Sequence, residues 1–150
     1  MKAGPTGPVD FWGKNMSRRK PYAAGYFLRV QQINDGRGPF RSGFTERWLS
    51  PDNPHTFPAG YDEFGWEPYQ RIPSGWYSGH AFENMDQLYS CFTAKELVTL
   101  KKYGFHIVSI GADLVLGRSE NQVLFARRKP LAEDVSMIPT GELELFRAAQ

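Results

Sequence analysis

A single arginine, Arg29, lies within an apolar stretch, residues 26–31. The alternation of this stretch predicts a β-strand that places Phe27 and Arg29 on one face. An unpaired buried guanidinium would cost too much free energy, so Arg29 is expected either to face solvent or to pair with an anion. The second alternative makes Arg29 a candidate binding residue for an anionic ligand.

Two polar residues, Glu120 and Gln122, stand two positions apart before an aliphatic run. Alternate residues of a β-strand point to the same face, so both side chains are expected to be able to reach one cleft. A carboxylate there could stabilise positive charge in a reaction, and an amide could hydrogen-bond a hydroxyl group. Glu120 could equally be a solvated charge of a hairpin loop.

A glycine-rich segment, residues 36–39, contains Arg37. It follows the predicted strand but leads into an irregular segment, which excludes a dinucleotide-binding turn of the Rossmann type. The segment is either a plain turn or a place where small residues let the backbone and Arg37 approach the phosphates of a ligand.

The three histidines and the single cysteine give no metal-ligand pattern. His80 follows a glycine and precedes a predicted helix, which makes it a candidate site residue. His106 is predicted to be a half-buried strand residue, and His55 lies in a proline-rich segment. Cys91 falls on the apolar face of a predicted helix, which is typical of an inert core thiol, and one cysteine excludes an internal disulfide framework.

The elements that must position these residues indicate an α+β fold. Helical spacing predicts a helix over residues 86–92, and a capping box at Thr93 and Glu96 predicts a second helix ending at Gly104. Strands are predicted at residues 26–31, 105–110, 114–116 and 122–127, and a last helix after Thr140. We expect a small split or antiparallel sheet with two or three helices and a long loop region.

That loop region, residues 34–76, has no sustained periodicity and contains six prolines and three tryptophans. Leaving its many aromatic side chains in water would forfeit about 1.5–3 kcal/mol each, which argues against disorder. We therefore predict a long ordered loop with short helical turns that lines or covers a cleft.

The chain of 150 residues fits one domain, which we assign to residues 21–150 after a basic, flexible arm over residues 1–20. Its 15% aromatic content, with 15 Gly and 11 Pro, excludes a coiled coil or a plain helical bundle. A net charge of +2 does not by itself indicate a nucleic-acid-binding protein. No apolar run could span a bilayer and no signal peptide is evident, so we expect a soluble, cytoplasmic protein.

Three segments, residues 26–30, 79–88 and 120–125, together resemble the ADP-ribosyltransferase-like fold, the NAD-binding split β-sheet of bacterial toxins and related enzymes. The resemblance implies that Arg29, helped by Arg37, anchors NAD by its phosphates or its nicotinamide amide. It further implies that Tyr77 and His80 contact a ribose, and that Glu120 or Gln122 contacts the reacting ribose.

Gln122 departs from that family, which carries a glutamate at this position. Either Glu120 supplies the missing charge, or the protein binds a nucleotide without transferring it. The first hypothesis is an NAD-dependent ADP-ribosyltransferase with a protein target.

The alternative is a non-catalytic interaction protein, in the style of phage and mobile-element proteins, that binds a host protein through its aromatic loop. Trp48, Trp66 and Trp76 would then form the contact surface. A third hypothesis is nucleic-acid binding by the basic N-terminal third with aromatic stacking.

Overall fold

The computed structural model describes residues 25–54 and 56–139 and confirms the predicted α+β class. Within those ranges the chain forms six strands and five short helices. In chain order they are β1 (Gly25–Gln32), α1 (Thr45–Trp48), α2 (Gly60–Phe64), α3 (Glu67–Gln70), β2 (Tyr77–Ala81), α4 (Met85–Cys91), α5 (Ala94–Lys102), β3 (Phe105–Ala112), β4 (Leu114–Arg118), β5 (Val123–Arg127) and β6 (Val135–Met137).

The strands form two antiparallel three-stranded sheets, ordered β1-β3-β6 and β2-β5-β4. The sheets are joined by one bridge, at which the backbones of Leu28 and Phe82 exchange hydrogen bonds of 2.8 and 2.7 Å. Elsewhere β1 and β2 do not pair, so polar groups on their facing edges need other partners. The candidate site lies at this gap between the edges of β1 and β2.

Helix α5 begins at the capping box that the sequence predicts, and helix α4 begins at a cap formed by Asn84. Asn84 accepts a hydrogen bond from the Gln87 amide (2.9 Å), and Thr93 and Glu96 form a complete capping box. The apolar residues of α5 were expected to point inward, but Val98 does not, since it is 44% exposed. A helix turns by about 100° per residue, which carries residue 98 away from the buried side of α5.

The proline-rich loop is ordered and contains the three short helices α1, α2 and α3. Its side chains cover the outer face of the second sheet, where Leu116, Leu124 and Ala126 are buried beneath Tyr69 and Trp76. A separate apolar cluster fills the space between the two sheets, and a third packs β1 and β3 against α4 and α5. The loop therefore has a structural role as well as forming one wall of the site.

Three predicted features lie outside the described residues: the basic arm at residues 1–20, His55 and the helix after Thr140. Strand β6 was not predicted, since three residues are too few to show an alternation. In the part of the chain that the structure describes, no helix has the length and apolar character needed to cross a membrane.

Candidate functional site

A cleft of about 720 Å³ lies between β1, β2 and the proline-rich loop. Its volume falls within the range typical of small-molecule sites. Arg29, His80 and Gln122 all line it, although they are far apart in the sequence. The split between the sheets is what brings them together, because β1 and the start of β5 approach β2 from opposite sides.

Arg29 is buried, at 6% exposure, and its guanidinium donates hydrogen bonds to three uncharged oxygens. Nε donates to Gln31 Oε1 (2.9 Å), Nη1 to the His80 carbonyl (2.7 Å) and Nη2 to the Gly36 carbonyl (3.0 Å). The alternative that Arg29 faces solvent is therefore wrong, and within the described residues neutral oxygens accept its hydrogen bonds.

Carbonyl oxygens leave the charge of Arg29 uncompensated. Among the described residues no carboxylate oxygen lies within 4.0 Å of it. Burial lowers the pKa of Arg29 to about 10, so it remains a cation at neutral pH. Among the described residues, Nη1 and Nη2 each keep an N–H that has no hydrogen-bond acceptor, so Arg29 can donate hydrogen bonds to an anionic ligand.

Two glycines make room for this guanidinium. A Cβ at Gly79 in β2 would lie 2.6 Å from Arg29 Nη1, so any side chain there would displace it. Gly36 has a φ of 76° in the turn after β1, and its carbonyl is the acceptor for Nη2. The glycine-rich segment is thus a turn, and the same turn also carries Arg37 to the cleft wall.

Arg37 and Arg41 add positive charge to the same side of the cleft. Arg37 is exposed and forms a salt bridge with Asp35 (3.1 Å). Because Asp35 already neutralises its charge, Arg37 would bind a phosphate more weakly than an unpaired arginine. The Arg41 guanidinium lies over the Phe44 ring, 4.8 Å from its centre, and its buried Nε has no partner among the described residues. Arg29 is therefore the strongest anion-binding candidate of the three.

His80 and Tyr69 form a hydrogen-bonded pair in the cleft, with 2.8 Å between His80 Nε2 and Tyr69 Oη. Burial lowers the pKa of His80 most, and the positive charge of Arg29 lowers it further, whereas the negative charge of Glu63 raises it. Burial, followed by the charges of Tyr61 and Glu63, raises the pKa of Tyr69 to about 12. Both groups are thus neutral at pH 7. Gly60, at the start of α2, packs so closely that a Cβ there would collide with both side chains.

Gln122 lines the cleft with its amide held in one orientation. Nε2 donates to the Pro58 carbonyl (3.0 Å) and to Glu63 Oε1 (2.9 Å), which uses both of its hydrogens. Glu63 Oε2 accepts a second amide hydrogen bond, from Asn121 Nδ2 (2.7 Å). Because Nε2 is occupied, Gln122 Oε1 is the atom left to accept a hydrogen bond from a ligand.

Glu120 and Gln122 do not face one cleft, so that prediction is wrong. Strand β5 begins only at Val123. The residues before it form a turn, in which Ser119 Oγ accepts hydrogen bonds from the backbone N–H groups of Asn121 and Gln122. The two-residue alternation does not hold through a turn. Glu120 is exposed and is not part of the cleft wall, whereas Gln122 is.

Tyr77 also lies outside the cleft wall, at the far end of β2, where it is 43% exposed. Its predicted contact with a ribose is not supported by this position. Tyr69, from α3, instead contributes the phenol next to His80.

The tryptophans of the loop do not form one surface. Trp48 is a core residue with its Nε1 bonded to the Pro39 carbonyl (3.1 Å), Trp66 is 65% exposed, and Trp76 lies beneath the Arg128 guanidinium. Other aromatic side chains line the cleft instead: Phe40, Phe57, Tyr61, Tyr69, Phe82 and Phe92. The rings therefore converge on a concave pocket that also contains Arg29.

Cys91 lies in the core, as the sequence predicts, at 4% exposure. Burial, and then the Glu96 charge, raise the pKa of its thiol, which makes it a poor nucleophile at neutral pH. Across residues 25–54 and 56–139, no cluster of three or more His, Cys, Asp or Glu residues could hold a metal ion.

Sequence reasoning missed Glu63, Tyr69 and Gly60 as site residues. All three come from α2 and α3, within the segment that has no periodicity and hence no predictable direction for its side chains. The available signal was compositional, since polar and aromatic residues are concentrated there. That signal predicts a cleft wall without identifying the residues that touch a ligand.

With the site described, the chain can be compared with known proteins. It matches no protein-family model, no curated protein and no solved structure. A function for the chain must therefore be inferred from the chemistry of the cleft.

Proposed function

We propose that the chain binds NAD or a related nucleotide in the cleft and acts in the cytoplasm as an ADP-ribosyltransferase-like protein with a protein target. The observation that carries this proposal is Arg29, a buried cation that lines the cleft and has no carboxylate partner among the described residues. Burying a cation in this way is costly, and an anionic ligand would offset the cost.

The other lining groups fit the remaining parts of a nucleotide. Tyr61 and Tyr69 line the cleft and contact each other, with 4.5 Å between their ring centres, so together they form an aromatic wall against which a base could pack. The Gln122 carbonyl oxygen can accept a hydrogen bond from a ribose hydroxyl, and Arg37 and Arg41 extend the positive wall for a second phosphate. A cleft of about 720 Å³ is large enough for a substantial part of such a ligand.

In ADP-ribosyl transfer, the bond between nicotinamide and ribose breaks and its electron pair leaves with nicotinamide. Ribose C1 then bonds to a target side chain or to water, which loses a proton. In this chain Arg29 would hold the phosphates and the tyrosines would stack the ring. His80, neutral at pH 7, is placed to accept the released proton after its contact with Tyr69 is exchanged.

Thermal denaturation with and without millimolar NAD tests the binding step. We expect NAD and ADP-ribose to raise the melting temperature of the wild type and not of Arg29→Met. Arg47→Ala is the matched control, because it removes one exposed arginine that does not line the cleft. Failure of NAD, ADP-ribose and related nucleotides to shift the wild type would overturn the proposal.

Release of labelled nicotinamide, and labelling of a protein by the ADP-ribose group, test the transfer step. Slow release is expected, because Gln122 is a neutral amide and cannot stabilise positive charge as a carboxylate does. If NAD binds but no nicotinamide is released, the protein binds the nucleotide and does not catalyse transfer.

A second candidate function, binding a host protein, is favoured by one exposed aromatic pair. Trp66 is 65% exposed and stacks on Tyr61, with 4.2 Å between the ring centres. Photo-crosslinking from position 66, with exposed Val98 as the control position, tests this candidate. This candidate function is supported if a crosslinked partner binds the purified chain at least about tenfold more weakly in Trp66→Ala, the loss typical of a hot-spot residue. A smaller loss would contradict it.

A further inference from the structure

Part of the cleft wall is the hydrophobic core itself. Four lining residues are at most 7% exposed and belong to the core cluster that packs β1 and β3 against α4 and α5. Two more lining residues pack against that cluster. We call these six residues the apolar arm of the cleft: Val30, Leu49, Phe57, Phe82, Cys91 and Phe92.

Contacts between rings make the apolar arm a continuous surface. The ring centres of Phe57 and Phe82 are 6.0 Å apart, and those of Phe82 and Phe92 are 6.2 Å apart. Asn53, a polar residue that also lines the cleft, has its amide nitrogen bonded to the Cys91 carbonyl (3.3 Å) and to Glu96 Oε1 (2.9 Å). A ligand group that enters the arm therefore meets mainly apolar side chains.

The apolar arm adjoins Arg29 on both strands that border the cleft. Val30 follows Arg29 in β1, and Phe82 lies two residues after His80, whose carbonyl accepts a hydrogen bond from Arg29 Nη1 (2.7 Å). Arg37 lines the cleft as well and has the same sign of charge as Arg29. One cavity thus joins a cationic end to an apolar end, and its best complement is an apolar ligand with an anionic head.

We propose that the cleft binds unbranched fatty acids, with the carboxylate at Arg29 and the alkyl chain in the apolar arm. The two carboxylate oxygens can accept the N–H groups that remain on Nη1 and Nη2 of Arg29. An alkyl chain makes no hydrogen bonds and gains free energy by leaving water, so it complements a wall of core side chains. The inference goes beyond the proposed function: a fatty acid and a nucleotide would both use Arg29 and should exclude each other.

Calorimetric titration of the full chain with monomeric octanoate, decanoate and dodecanoate, without nucleotide, tests the inference. We expect the affinity to rise about fourfold per added CH₂, the factor equivalent to about 0.8 kcal/mol for each buried CH₂. Dodecanol has the same chain without the charge and should bind at least about tenfold more weakly than dodecanoate, because hydrogen bonds to charged groups are stronger. Absence of binding, an affinity that does not rise with chain length, or equal affinities for the acid and the alcohol would each overturn the inference.

A substitution in the apolar arm locates the alkyl chain. Phe57→Asp places a carboxylate against the chain and should weaken dodecanoate binding at least about tenfold. Phe64→Asp is the matched control, because Phe64 is a half-buried phenylalanine of the same loop that does not line the cleft, and this variant should keep the wild-type affinity. Equal losses in the two variants, or no loss in either, would contradict the placement. Should a variant not fold, the wild-type comparison of acid with alcohol is decisive.

The results distinguish this inference from the proposed function. If fatty acids bind and no nucleotide does, the proposed function fails and the inference stands. If NAD binds and no fatty acid does, only the inference fails. If both bind, dodecanoate should displace NAD, and simultaneous binding would overturn the placement of the carboxylate at Arg29.

Discussion

The site has two charged ends that are built in different ways: Arg29 lines the cleft, whereas Glu63 lies outside the cleft wall and contacts it through Gln122. At one end, backbone carbonyls of β2 and of the turn after β1 hold two of the three nitrogens of Arg29. At the other end, side-chain amides hold Glu63 on a short loop helix. Backbone acceptors move only when the fold moves, whereas side-chain amides can reorient. We therefore expect changes at the arginine end to cost more stability than changes at the glutamate end.

The largest expected effect is from Arg29→Met. It removes the donors of the Gln31, His80 and Gly36 oxygens and leaves them in a buried place. We expect the free energy of unfolding to fall by about 3–5 kcal/mol, the cost typical of breaking a buried polar network. Urea denaturation measures it, with Arg47→Met as an exposed control. A loss below about 1 kcal/mol would contradict the view that the fold depends on Arg29.

A smaller effect is expected from Gly79→Ala. The added methyl would lie 2.6 Å from Arg29 Nη1, so the guanidinium must shift away from its carbonyl partners. We expect a loss of about 1–3 kcal/mol, as for other overpacked sites, together with weaker nucleotide binding. Gly38→Ala is the matched control, because a Cβ there lies 3.7 Å from Arg29 Nη2 and fits without displacement. Equal losses in both variants would contradict the proposed role of Gly79.

The difference between the two ends also explains which features of the fold and the site the sequence predicts. Strand β1, the capping box at Thr93 and the antiparallel pair β4 and β5 follow from alternation and capping residues, and the structure confirms them. Arg29 was selected because a lone arginine is conspicuous in an apolar strand. Its carbonyl partners were not predictable, because one belongs to another strand and another to a turn.

The glutamate end was harder to predict, for a physical reason. Glu63 meets Gln122 across 59 positions of sequence, and it lies on a five-residue helix without a side-chain cap. Glu120 was chosen instead, because strand alternation was extended into a turn where Ser119 redirects the chain. The carboxylates of the loop could be counted from the sequence, but which of them contacts Gln122 depends on tertiary packing.

At the glutamate end, Gln122→Glu sharpens the comparison. The new carboxylate would face Glu63 and could not donate to the Pro58 carbonyl. We expect a loss of about 1–3 kcal/mol at pH 7 from the lost hydrogen bonds and the repulsion between like charges. One carboxyl of the pair then has a raised pKa in the folded state, so the loss should shrink as the pH falls through that pKa.

The double variant Glu63→Gln with Gln122→Glu provides the control. An amide and a carboxylate again face one another, so part of the stability should return, whereas the Pro58 carbonyl still lacks its donor. Urea denaturation at several pH values measures all three variants. Additive losses in the double variant would mean that residues 63 and 122 do not interact.

The smallest expected effect is the contribution of His80 to the pH dependence of stability, since both Arg29 and Glu63 act on its pKa. Burial and Arg29 lower its pKa, while Glu63 raises it. A histidine with a lowered folded pKa destabilises the folded state as the pH falls below its unfolded value of about 6.5, because the unfolded chain then binds more protons. The wild type should therefore lose more stability than His80→Gln below that pH, and the difference between them should be constant above it.

Titration of the His80 ring by NMR separates the two charges. In Glu63→Gln the raising contribution is lost, so the pKa of His80 should move further down; in Arg29→Lys, which keeps a cation on β1, it should stay below its ordinary value. Asp62→Asn should leave it unchanged, since burial, Arg29 and Glu63 account for the shift. If the pKa of His80 were the same in Glu63→Gln as in the wild type, Glu63 would not act on His80 and the comparison would fail.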